Sequence, residues 1–314
     1  MAHGTSSSVA VPGATLTGAP GRTIAANLLI SVRPAQWTKN LLVFAGLLFG
    51  HRLVEPVAVL EAVAAFAIFC ALSAAVYLLN DVADRDSDQL HPLKAIRPIA
   101  SGALAVPAAL VAAAVLASAA VAGSVALGAR FTAVAVAYLV LQVLYSGPLK
   151  RILIVDALTI AVGFVLRAAA GAVAVGVEIS HWLFVCTLLL ALLIALAKRR
   201  HELVLLAEDA TGHRRILGEY SEYLLDQMFG IVGAATLIAY IFYTVSPETQ
   251  EKFGTAWLGL TIPFPLYGIF RYLYLVHRRE GGGSPADLLL ADRPLLVCVA
   301  LWALTVTAII YRPV

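Results

Sequence analysis

"VAVLEAVAAFAIFCALSAAVYLL" (residues 57–79) holds a single charge, Glu61, in an otherwise apolar run. As a helix it would be about 34 Å long, enough to cross a hydrocarbon core of about 30 Å. The run ends abruptly in "NDVADRDSDQLHPLKAIRPIASG" (80–102), which opens with Asp81, Asp84, Asp86 and Asp88 and goes on to Lys94 and Arg97. A greasy helix that empties into acids and then cations sets the two questions of the chain: how many such helices there are, and what the acids hold.

Composition answers the first in outline. The 314 residues are 61% hydrophobic and 13% charged, against about 45–50% and about 25% for a soluble domain. The excess lies in repeated long runs, so the expected fold is an all-α, multi-pass membrane protein. Nine spans are expected, at about 38–54, 57–79, 106–127, 130–147, 152–175, 181–197, 226–245, 255–277 and 294–311. Ala, Gly and Val dominate them, which suits close backbone packing in lipid. Residues 23–33 read as an amphipathic helix along the interface. Residues 1–21, rich in Gly, Ser, Thr, Ala and Pro, read as a disordered tail without the basic start and apolar core of a signal peptide. One domain is expected over 22–314, with its working loops at 80–105, 147–151 and 198–225.

Lys and Arg set the orientation. With the N-terminus cytoplasmic, that face carries Arg85, Lys94, Arg97, Lys150, Arg151, Lys198, Arg199, Arg200, Arg214, Arg215, Arg278, Arg279 and Arg293, and the opposite face only Arg52, Arg130 and Lys252. The net charge of +3 is thus loop asymmetry. No basic stripe with interleaved aromatics is present, so nucleic acid is not an expected partner. Cys70, Cys186 and Cys298 sit singly in apolar runs and read as small hydrophobes.

The acids have a helical rhythm. Asp81, Asp84 and Asp88 fall at i, i+3 and i+7; Asn80, Asp84 and Asp88 at i, i+4 and i+8. Carboxylates crowded on one face repel, so a positive charge belongs between them. Oxygen donors suit Mg²⁺, which takes one or two carboxylates together with water and substrate phosphate. Asn80, Asp81, Asp84 and Asp88 are therefore the candidate metal ligands, with the choice between Asp81 and Asp88 open. Tyr77 lies one turn earlier on the same side. Lys94 and Arg97 are placed to neutralise phosphate oxygens. Lys39 in "QWTKN" at the start of the first span, and Lys150 and Tyr145 in "YSGPLK" (145–150), stand at the same face as candidate substrate contacts. Asp156 and Arg167 lie within an apolar run and must face the interior; their spacing places them on one helical face, with Arg167 roughly 20 Å deep if its helix starts near 152. His91, His181, His201 and His213 lack ligand spacing.

The aspartate pattern and the nine-span plan resemble the UbiA superfamily of membrane prenyltransferases. "RPAQWTKNLLVFAGLLF" (33–49), residues 80–102, "YSGPLK", "DALTIAVGFVLRAAAGA" (156–172) and "AKRRHEL" (197–203) resemble one branch, the decaprenyl-phosphate phosphoribosyltransferases of bacterial arabinan synthesis. The resemblance implies a nine-helix bundle around a central cavity with a lateral lipid opening, in the bacterial inner membrane. It implies Mg²⁺-assisted transfer of 5-phosphoribose from 5-phosphoribosyl 1-diphosphate to a polyprenyl phosphate. It also makes Arg167, in "GFVLR", a partner of substrate phosphate. Prenyltransferases of the superfamily usually carry a second aspartate motif after the sixth span. Here that place holds Lys198, Arg199 and Arg200, with Glu202 the first acid, which suits two anionic substrates better than a second metal. The rival readings are a prenyl diphosphate-using transferase and a transporter without chemistry; a homo-oligomer is left open.

Overall fold

The computed structural model describes residues 22–90, 94–178, 181–208, 219–278, 288 and 291–311. The tail 1–21, His91, His213, Arg214, Arg215 and Arg279 lie outside the described residues. Among those described there is helix and no strand.

The order is α1 (Ile24–Ser31), a 3-10 segment (Pro34–Phe44) continued by α2 (Ala45–Phe49), α3 (Pro56–Ala83), α4 (Arg85–Gln89), α5 (Val106–Val125), α6 (Ala129–Ser146), α7 (Val155–Ala174), α8 (His181–Glu208), α9 (Glu222–Val245), α10 (Pro247–Phe253), α11 (Pro263–Arg278) and α12 (Arg293–Ile310). Seven of these helices, α3, α5 to α9 and α12, are long and apolar enough to cross a membrane by themselves. Among the described residues, α10 with residues 257–278, which meet at 103°, makes an eighth if the bent pair is one span.

Two of the nine expected spans are therefore not single helices. Residues 38–54 fall on the 3-10 segment and α2. The whole stretch Pro34–Phe49, eleven 3-10 residues at about 2.0 Å each and five α residues at about 1.5 Å each, reaches about 30 Å. The cause is close packing. A Cβ on Gly171 would collide with the Val43 carbonyl, and one on Gly46 with the Ala172 backbone, so this segment lies backbone to backbone on α7. Residues 255–277 fall on a 3-10 turn (Trp257–Thr261) and α11; the sharp bend lies just before them, at Gly254, which takes φ +62, a conformation that suits glycine.

α3 and α7 are the interior helices: 56% and 61% of their apolar windows are buried, against 17–33% for the other five. The remaining helices turn Leu, Val and Phe outward, as lipid contact requires. α1 turns its polar residues inward. Asn27 and Ser31 are buried while Ile24, Leu29 and Ile30 are exposed, because Asn27 Nδ2 donates to the Ala103 carbonyl at 3.0 Å.

Candidate active site

The aspartates sit where α3 breaks into α4. Asp84 has φ −95 and ψ 6 at the junction, so the chain turns and the acids no longer share a straight helical face. The loop that follows is anchored from below. Ile99 and Leu104 are buried against Ala75 and Leu78 of α3, and the Arg97 amide and carbonyl bond to Lys94 and Ser101. This fixes Arg97 over the acids. Its Nη1 donates to Asp88 Oδ2 at 2.6 Å and to Asp81 Oδ1 at 3.2 Å. Arg33 also pairs with Asp81 and lies over the Tyr77 ring at 5.2 Å. Lys150 Nζ donates to Asp84 Oδ1 at 2.9 Å. Asn80 Oδ1 accepts from the Ser146 hydroxyl.

The structure thus gathers Tyr77, Asn80, Asp81, Asp84, Asp88, Arg97 and Lys150 in one place. It fills the space between the carboxylates with the chain's own cations. Among the described residues no three of His, Cys, Asp and Glu are disposed to hold one ion. Asp81 and Asp88 are buried and face arginine; Asp84 is the open one, with 37% of its side chain exposed. Asn80 and Asp84, one turn apart, offer hard oxygen donors, their Oδ1 atoms accepting from Ser146 and Lys150. That suits an ion that takes one or two protein ligands and completes its shell with water and phosphate. Lys39 and Lys94 are half-buried.

Arg33 was not singled out by spacing. It holds φ 52 directly before Pro34, a rare conformation for a non-glycine residue. The one signal was its place at the head of the 33–49 stretch.

A second polar group lies beneath. Asp156 and Arg199, both buried, pair at 2.5 Å. Arg199 also pairs with Glu202, and its Nη2 donates to the Tyr145 hydroxyl at 3.0 Å. Tyr220 donates to Asp156 Oδ1 at 3.0 Å and accepts from the Ile154 amide at 2.9 Å. Ile154 has φ 67, an outlier for a β-branched residue, and Tyr220 holds it at the start of α7. Burial pushes the Tyr220 phenol up to about 12. Tyr145, Asp156, Arg199 and Glu202, read as substrate contacts, here touch one another. Tyr220 was missed because nothing in its local sequence links it to a residue 64 positions away. Lys198 Nζ is 3.9 Å from Glu202 and 44% exposed.

Arg167 is a third case. The helix starts at Val155, so the arginine is about 18 Å along it. It is buried, and its nitrogens donate to Asn40 Oδ1 at 2.8 Å, the Gly163 carbonyl at 2.9 Å and the Tyr138 hydroxyl at 2.7 Å. It does not pair with Asp156. All three partners are neutral, so the charge is solvated but not neutralised.

Residues 40–285 match the model of the UbiA prenyltransferase family. The chain belongs to that family. It is 30% identical over 302 residues to a decaprenyl-phosphate phosphoribosyltransferase of Corynebacterium glutamicum, covering 93% of this chain and 89% of that one. It is 32% identical over 308 residues to the protein of the same name from Mycolicibacterium smegmatis, covering 94% and 96%. Among solved structures, a UbiA homolog from Archaeoglobus fulgidus bound to GPP and Mg²⁺ superposes with a TM-score of 0.71 at 20% identity, over 90% of this chain and 99% of that one. The likeness at that identity speaks for the fold. The UbiA family is an enzyme family, and the resemblance drawn from the five sequence stretches is borne out.

Proposed function

We propose that this UbiA-family enzyme transfers 5-phosphoribose from 5-phosphoribosyl 1-diphosphate to a polyprenyl phosphate of the decaprenyl class, in arabinan precursor synthesis, with Mg²⁺. The observation that carries the reading is the balance of charge at the aspartates: Asp81, Asp84 and Asp88 against Arg33, Arg97 and Lys150. A balanced cluster disfavours a further divalent cation unless negative charge enters with it. A sugar diphosphate brings that charge, and phosphate oxygens then offer Arg33, Arg97 and Lys150 new partners.

Asn80 and Asp84, with Asp81 or Asp88, would hold Mg²⁺, whose chemistry is to offset charge growing on the leaving diphosphate. Lys94, Arg97 and Lys150 bind phosphate oxygens and align the sugar. Lys39 and Lys198 attract the second anion from the same face. Arg167, which among the described residues donates only to neutral oxygens, is the deep partner of a substrate phosphate. The acceptor's phosphate oxygen, already ionised at neutral pH, forms the bond to C1 as the bond from C1 to the diphosphate oxygen breaks. The electron pair leaves with pyrophosphate, and no general base is needed. Direct attack inverts C1. The lipid tail enters sideways between helices, and the site faces the cytoplasm of a bacterial inner membrane.

Purified protein assayed with each donor tests this. The expected result is Mg²⁺-dependent release of pyrophosphate from 5-phosphoribosyl 1-diphosphate and a polyprenyl phosphate, lost in Asp84→Ala. Turnover of a prenyl diphosphate with none of the ribosyl donor would replace the proposal with a prenyl transfer.

A further inference from the structure

The end of the bundle away from the aspartates holds a cavity of about 520 Å³, within the roughly 300–1,000 Å³ range of small-molecule sites. It lies beyond the N-terminus of α3 and the C-terminus of α7, about 40 Å from Asp84 by the rise of α3. None of the residues in the proposed reaction lines it. Gly46 and Gly50 form part of its wall.

Its chemistry is mixed rather than basic. Arg52 and Lys252 line it, as do Glu178 and Glu248. Arg52 spends Nε on Glu55 at 3.3 Å and Nη1 on the Val175 carbonyl at 2.5 Å. A guanidinium has five N–H donors, so others remain. Tyr243 also lines the cavity and is 4% exposed, yet among the described residues its hydroxyl has no hydrogen-bond partner. Its hydroxyl is therefore free to donate to an acceptor placed in the cavity. The cavity sits at the N-terminal end of α3, a helix of membrane-crossing length. Leu53 and Val54 beside Arg52 are exposed, and so is Trp257 on the connection after α10, the position of an interfacial aromatic.

We propose that this cavity binds the zwitterionic head group of a membrane phospholipid, a phosphate joined to an ammonium. Arg52, Lys252 and the Tyr243 hydroxyl take the phosphate oxygens; Glu178 and Glu248 take the ammonium. A bare anion would meet two carboxylates, and a bare cation the arginine and lysine. A ligand carrying both charges meets a complement for each. The site is independent of the ribosyl transfer and stands or falls without it.

The test titrates full-length protein in detergent with dihexanoyl phosphatidylethanolamine, dihexanoyl phosphatidylglycerol and free phosphoethanolamine, read by native mass spectrometry. The ethanolamine lipid should bind about tenfold more tightly than the glycerol lipid, one ionic hydrogen bond's worth, and more tightly than free phosphoethanolamine, which has no acyl chains to lie against Leu53 and Val54. Glu178→Gln with Glu248→Gln should erase the preference over the glycerol lipid. Tyr243→Phe should weaken the ethanolamine lipid severalfold and Arg52→Gln more, with thermal melting as the control for folding, since Arg52 also holds Val175. Equal binding of the two lipids, or a preference that survives the double glutamate change, overturns the proposal. Equal binding of free phosphoethanolamine overturns the assignment to lipid.

Discussion

Two acidic groups stand within the same half of this molecule, and both are paired with arginine, yet they differ in access. Around Asp81, Asp84 and Asp88 the partners Arg33 and Arg97 keep 29% and 30% of their side chains exposed. Around Asp156 the partner Arg199 keeps 1% and the acid itself none. The first group has cations that can exchange their carboxylates for a ligand's phosphates. The second is closed by Tyr145, Glu202 and Tyr220 and joins α6, α7, α8 and the approach to α9. In the first group the charges are open to a ligand; in the second they join α6, α7 and α8 to one another.

The sharpest way to break this contrast is Asp156→Ala. Removing one partner of a buried pair costs about 3–5 kcal/mol, so folded yield and melting temperature in detergent should fall steeply. Asp84→Asn should do the reverse: turnover drops about 100-fold or more, the scale for losing a group that stabilises charge in the transition state, while melting stays close to wild type. Equal stability losses in the two variants would erase the distinction. Tyr220→Phe removes the bond to Asp156 and the one to the Ile154 amide. Stability should fall by about 1–2 kcal/mol, seen as a modest melting shift with activity retained at low temperature. Arg200→Gln is the smallest case. Its pair with Asp226, at 2.6 Å and with 37% of the acid exposed, lies outside both groups and should cost about 1 kcal/mol or less.

Much of this was legible in the sequence, for a physical reason. Apolar length reports bilayer thickness, so α3, α5 to α9 and α12 stood out as runs. Continuity did not. Residues 41–49 are as apolar as a straight helix, and only the fit of Gly171 and Gly46 shows why the stretch up to Phe44 is drawn out as a 3-10 segment. The acids at 80–88 were legible through helical spacing, but their partners were not. Arg33 precedes Asp81 by 48 positions, and Arg199 follows Asp156 by 43. Spacing places residues on one helix face; it cannot name what crosses from another helix. That is why Asp156 and Arg167, placed on one face, turned out to be buried together yet bound to different neighbours.

The balance of charge at the aspartates is tested most directly by Mn²⁺ titration followed by electron paramagnetic resonance, with and without 5-phosphoribosyl 1-diphosphate. The protein alone should leave Mn²⁺ almost wholly free. Adding the donor should produce a bound signal that Asp84→Asn abolishes. Tight Mn²⁺ binding to the protein alone, or a donor-dependent signal unchanged by Asp84→Asn, would contradict the account.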